Sequence, residues 1–309
     1  MSDSHQPDKV VGPPFDAADA DIILRSSDGA DLRTYKFLLS FASPVFRTML
    51  SLPQPIDEVP TSSSTFPIIP MPEDRHTLEK LLLHCYPGSS ISLHSLDDIK
   101  LVLDAAAKYD MEFVLENIKK WMVTSTLFKN NPLAFYVLSC VRGFKVEARL
   151  SASRALEVIE REPNHFIPEL EEISAGTYYR LIKYHAQCGA AARDVMQNLQ
   201  WIPMAERLII NTNWPGCEHC RDLKVPLFGG GMYSLPTWLK TYLDGLGEEL
   251  YRRPCASTVM KTESFNAALI KGASCEVCNN TLATKLSRMR DKFAARVATV
   301  ISQVKLEFS

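Results

Sequence analysis

The stretch LRTYKFLLSFASPVFRTML, Leu32 to Leu50, changes periodicity twice within one short run. Leu32 to Tyr35 reads as a strand, and it pairs back on Asp21-Ile22-Ile23-Leu24-Arg25 through a tight turn at Asp28-Gly29. Lys36 to Phe41 has helical spacing and breaks at Ser43-Pro44. Serine is a favoured N-cap and proline is best tolerated at the first helical position, so Val45 to Leu50 is predicted as a separate helix. The run is rich in apolar side chains and holds almost nothing that acts as acid, base or metal ligand. Its work is predicted to be contact.

Outward from this run, residues 1–18, rich in Pro, Asp and Ser, are expected to form a disordered arm. Residues 51–65 hold SLPQPIDEVP and a Ser/Thr run and read as a long loop. Phe66 to Met71 returns as a strand, a helix from Asp74 carries Leu78, Leu81, Leu82 and Cys85 on one stripe, and YPGSSISL supplies a turn and a short strand. Ser95 with Asp98 resembles a capping box ahead of Leu96, Ile99, Leu103 and Ala106. Asp110 is read as the cap of a helix buried through Met111, Val114, Leu115, Ile118 and Met122, and Asn131-Pro132 repeats the cap-plus-proline start. Further helices are predicted over 145–161 and 174–188. After a composition break at NTNWPGCEHC come helices around 238–251 and 257–271. The last helix, over 281–305, repeats Leu282, Leu286, Met289, Phe293, Val297, Val300 and Val304 every three or four residues.

The chain of 309 residues has a formal net charge of −2 and is 46% hydrophobic, enough for about two domains with cores of their own. Near-neutral charge provides no overall pull toward nucleic acid or acidic membrane. Met1 to Gly12 lack the apolar core of a signal peptide, and no run reaches the roughly 18 apolar residues of a membrane span. The expected setting is therefore intracellular, nucleus or cytoplasm.

The order of elements resembles a BTB/POZ domain. ADIILRSSDGADLRTYKFLLSFASPVFRTML matches that family's hairpin and helical pair, FPIIPMPEDRHTLEKLLLHCYPGSSISL its middle, and LDDIKLVLDAAAKYDMEFVLENIKKWM its closing helical hairpin. Tyr35 departs from the family, which usually has His before Lys36, and the Pro/Ser-rich loop after Leu50 resembles the fungal versions. The implied fold is α+β. It places a BTB/POZ domain at 19–125, a helical extension at 126–205 and a C-terminal helical region with CxxC pairs at 206–309. The resemblance implies a protein-interaction adaptor, commonly homodimeric, and not an enzyme. Phe37, Leu38, Phe41, Val45 and Phe46 are the candidate partner-binding residues. Ile56 and Glu58 match the hydrophobic-x-Glu triplet with which some relatives recruit a cullin-type ubiquitin ligase, a protein-partner alternative.

Five of the eight cysteines fall between Cys217 and Cys278. Cys217-x-x-Cys220 and Cys275-x-x-Cys278 are two knuckles separated by 54 residues. A two-residue spacer lets a tight turn aim both sulfurs at one ion, and two such pairs complete a tetrahedral, structural Zn2+ site. His219 and Cys255 are substitutes for one ligand.

Enzyme motifs are missing: Gly229-Gly230-Gly231 has neither P-loop nor dinucleotide spacing, and no G-x-S-x-G or H-E-x-x-H occurs. A zinc-containing transcriptional regulator that binds nucleic acid would rest on Lys285, Arg288, Arg290, Lys292 and Arg296 of the last helix. No histidine follows His219, which removes the C2H2 finger, and the apolar stripe makes this helix a packing element first.

Overall fold

The computed structural model describes residues 9–52, 66–88, 93–159, 166–202, 223–226, 232–279 and 282–308, which divide into two compact units, Met1–Asn130 and Asn131–Ser309. Side chains are described for these residues except at 9, 10, 223–226, 232–235, 277 and 278. Among the described residues no helix is long and apolar enough to cross a membrane.

The first unit is built on a four-stranded sheet of order β1-β3-β2-β4, with β1 Lys9–Val10, β2 Ile22–Arg25, β3 Ala30–Thr34 and β4 Ile68–Pro70. β2 and β3 are the expected antiparallel hairpin, Leu24 opposite Leu32. Its turn closes through Gly29 at φ 81°, a conformation glycine adopts at no steric cost, and through Ser26 Oγ, which accepts the Ala30 N–H at 2.8 Å. Arg25 forks onto Asp31, with Nε–Oδ1 2.6 Å and Nη2–Oδ2 2.8 Å. β4 runs parallel to β2, and β1 parallel to β3. Residues 9–18 thus correct the expected arm: β1 joins the sheet, and Val11 and Phe15 are buried, Phe15 edge-on to Tyr86 at 5.5 Å.

Helix α1 is Lys36–Ala42 and α2 is Pro44–Ser51. α3, Arg75–Leu83, starts on Asp74, whose carboxylate accepts the Thr77 N–H at 2.8 Å. α4, Leu96–Lys108, starts on Ser95, which accepts from Asp98 N at 3.0 Å. The reciprocal half of the expected capping box is displaced by one residue, because Asp98 accepts the N–H of His94 at 3.1 Å. That carboxylate also takes His76 Nε2 at 2.9 Å and Lys80 at 3.4 Å, which ties α3 to α4. α5 is Glu112–Thr124 and α6 Thr126–Asn130. Asp110 corrects the expected cap: it lies at φ 51° in the turn after α4, and Met111 occupies the N-cap of α5. A short polar side chain tolerates that left-handed turn better than most.

In the second unit α7 is Pro132–Val141, α8 Lys145–Ala155 and α9 Ala175–Gln197. β5 Leu223–Pro226 and β6 Met232–Leu235 pair antiparallel, Leu223 opposite Leu235. α10 is Thr237–Arg252, α11 Ala256–Val259, α12 Thr262–Ala273, α13 Glu276–Asn279 and α14 Leu282–Gln303. One core joins Leu181, Cys188 and Val195 of α9 to Leu239 and Leu243 of α10 and to Leu286, Phe293 and Val297 of α14. The helices assigned to an extension therefore share their core with those assigned to a separate C-terminal region. α9 and α10 come close at Gly189, where an added Cβ would meet the Tyr251 carbonyl oxygen at 2.7 Å. The stripe on α14 is buried at Leu282, Leu286, Met289, Phe293 and Val297, and at its far end Ile301 takes the place expected for Val300.

Candidate interaction surface

α1 and α2 are joined at an angle by Ser43, which is fully buried. Its Oγ accepts the Phe46 N–H at 3.0 Å and donates to the Tyr109 carbonyl at 2.5 Å, so one hydroxyl caps α2 and anchors the pair to the end of α4. Arg47 Nε donates back to the Ser40 carbonyl at 3.0 Å. α1 has no side-chain cap of its own; Asp21 accepts its first N–H, that of Lys36, at 2.7 Å, a carboxylate where the helix dipole favours one. Tyr35, at the family's usual histidine position, donates its hydroxyl to Asp19 at 2.8 Å, and that bond to an anion raises the phenol pKa.

With the helices held so, Leu39 is the buried residue of α1 and Phe46 that of α2. Phe46 corrects the candidate list: it is fully buried and stacks on Tyr109 with ring centroids 4.8 Å apart, so it is core. Phe37 and Phe41 point the other way, 74% and 77% exposed, one helical turn apart and stacked at 6.1 Å. Leu38 is half-buried beside them and Val45 is exposed on α2. Leu52, just past α2, is a further exposed apolar residue; its spacing seven residues after Val45, two helical turns, was the signal that would have found it. Burying a phenylalanine is worth about 1.5–3 kcal/mol, so this ring pair leaves a gross ~3–6 kcal/mol per chain uncollected. Two adjacent aromatic anchors in an apolar setting are what a partner surface needs at its centre.

Ile56 and Glu58 lie outside the described residues, as do Cys217, Cys220 and His219. Cys275 is half-buried at the end of α12, and the side chain of Cys278 is outside the described set. Among the described residues no three His, Cys, Asp or Glu side chains gather as a metal site. On α14, Arg290 lies over the Phe265 ring at 4.1 Å and Arg296 over Trp201 at 5.8 Å, so part of the basic face is spent on packing.

No curated protein matches this chain. Its sequence does match the BTB/POZ domain family over residues 15–126, the span that holds the hairpin, the α1–α2 pair and the α4–α5 hairpin. The chain thus contains a BTB/POZ domain, generally a protein–protein interaction module.

Proposed function

We propose that this chain is an interaction adaptor rather than an enzyme, and that a second copy of the chain covers the outer face of α1. The exposed, stacked Phe37–Phe41 pair carries this reading. A two-fold arrangement sets the same rings against each other and doubles the apolar area removed from water, enough to work against an association cost of about 4–15 kcal/mol. The test is the mass of the full chain by light scattering, with Phe37→Ser/Phe41→Ser as the variant. The wild type runs as a dimer, and the variant, with unchanged circular dichroism, dissociates with a constant raised about a thousandfold. A wild-type monomer at about 100 μM, well above the affinity of a functional pair, overturns the proposal.

The four cysteines are proposed to hold one structural Zn2+. Cys275 directly precedes the short helix α13 and Cys278 lies within it, Asn279 N bonds the Cys275 carbonyl at 3.0 Å, and a two-residue spacer is the one that lets two thiolates share an ion. Elemental analysis of the purified chain reads one zinc, lost in Cys217→Ser/Cys220→Ser; unchanged metal in that variant refutes the site.

A further inference from the structure

The second unit holds a cavity of about 140 Å³ between α7, the start of α8, α9 and the C-terminal segment after α14. We infer that it is a binding site for a small aromatic monocarboxylate. Three observations carry this, none of them connected with the α1 surface.

The first is an orphaned hydroxyl. Ser139 is a wall of the cavity and is fully buried, and its Oγ has no hydrogen-bond partner among the described residues. A mid-helix serine normally turns back to a carbonyl of the preceding turn or faces water. Leaving a buried hydroxyl unpaired costs about 1–3 kcal/mol, a cost that a ligand accepting the hydrogen bond removes.

The second is uncompensated positive charge. Arg180 and Lys145 both line the cavity. Arg180 spends one donor on Thr177 Oγ1 at 3.3 Å, and among the described residues neither cation is in an ion pair. The carboxylate at the rim, Glu307, is held elsewhere: Lys183 Nζ takes its two oxygens at 2.9 and 3.0 Å. What remains is a half-buried guanidinium with a planar fork of donors, the geometry that binds a carboxylate through two parallel hydrogen bonds.

The third is shape. Tyr136, Phe144 and Phe308 supply aromatic walls. The Tyr136 hydroxyl donates to the Thr177 carbonyl at 3.2 Å, and burial, together with Cys140, keeps the phenol protonated, so it adds no negative charge. A cavity of about 150 Å³ accepts one benzene ring, so this one matches a single ring with its carboxylate at the Arg180 end.

Benzoate is the probe, titrated into the full chain by calorimetry and saturation-transfer NMR, with benzamide as the neutral analogue of the same shape. Benzoate saturates one site with a dissociation constant of about 10 mM or tighter, the range set by its atom count. Benzamide binds about tenfold more weakly or worse, and Arg180→Gln weakens benzoate to the same extent. Ser139→Ala weakens benzoate several-fold while leaving the melting temperature of the unliganded chain unchanged or higher, because it removes an unsatisfied group. Failure of benzoate to saturate overturns the inference. So does equal binding of benzamide, or benzoate affinity untouched in both variants.

Discussion

Removing one oxygen atom from Ser43 should destabilise the whole first unit. In Ser43→Ala, α2 loses its N-cap, the bond from Phe46 N at 3.0 Å, at a cost of about 1 kcal/mol. The Tyr109 carbonyl loses the hydroxyl that meets it at 2.5 Å, in a buried site, for about 1–3 kcal/mol more. The total is ~2–4 kcal/mol, against the 5–15 kcal/mol by which a typical domain is stable. Two controls isolate the cause. Ser43→Asp keeps a good capping acceptor for Phe46 N but has no donor for Tyr109 and buries a charge beside its carbonyl; it is at least as damaging as alanine, although on an isolated helix it would be neutral. Thr48→Ala removes an exposed hydroxyl bonded to the Pro44 carbonyl at 3.0 Å and changes stability by less than about 0.5 kcal/mol. Hydrogen exchange read by mass spectrometry on the full chain resolves each unit. In Ser43→Ala the most protected amides of α2 and α4 lose protection together, about thirtyfold or more, while α9 and α10 are unchanged. A loss confined to the first turn of α2, or a stabilised Ser43→Asp, would refute the claim that this hydroxyl links the two helices.

Two further outcomes follow from packing and burial. Gly189→Ala puts a Cβ at 2.7 Å from a backbone oxygen of α10, which cannot rotate away, and lowers the urea stability of the second unit by about 1–3 kcal/mol; Gly176→Ala, in the first turn of α9 with its nearest neighbour at 3.7 Å, is neutral or stabilising. Equal effects at the two glycines would show that α9 and α10 do not touch at Gly189. Burial pushes the His84 imidazole down to about 4 from 6.5, so between those values the unfolded chain binds the proton that the folded chain refuses. Stability of the first unit is then full above pH 6.5 and falls by up to about 3 kcal/mol as pH drops toward 4. His84→Gln flattens that part of the urea-midpoint profile; an unchanged slope assigns the loss to other groups.

What could be read in the chain before folding was local. The serine and proline at 43 and 44 announce the break, and Asp28-Gly29 announces the hairpin, because each acts through its own backbone geometry. The face of a helix was harder. Val45 and Phe46 are neighbours of similar hydropathy, yet Phe46 is core because Tyr109, distant in sequence, offers its ring, and no periodicity within eight residues records that. β1 was invisible for a related reason: a two-residue parallel strand has no alternation of its own, and only β3 gives it a place. A glycine run such as 229–231 suggests a phosphate loop by composition alone, while the segments 223–226 and 232–235 that flank it pair as β5 and β6.

The last helix shows how a functional signal in sequence can be absorbed by structure. Five basic residues on α14 look like a phosphate-tracking face, and charge alone cannot distinguish that from a solvated or a packed one. Among the described residues, two of the five lie over aromatic rings. Arg290 lies over Phe265, and Arg296 lies over Trp201, whose ring is edge-on to Phe293 of the same helix and whose indole N–H donates to the Val195 carbonyl at 3.1 Å. Moving either guanidinium to a phosphate would break a contact worth about 0.5–2 kcal/mol and uncover a ring of the core. Phe37 and Phe41 are the opposite case. No described residue of the first unit covers them, they lie outside its core, and on the proposed reading their area is buried when another chain arrives. Among the described residues, function by contact is therefore argued from the aromatic face of α1 and not from the basic face of α14.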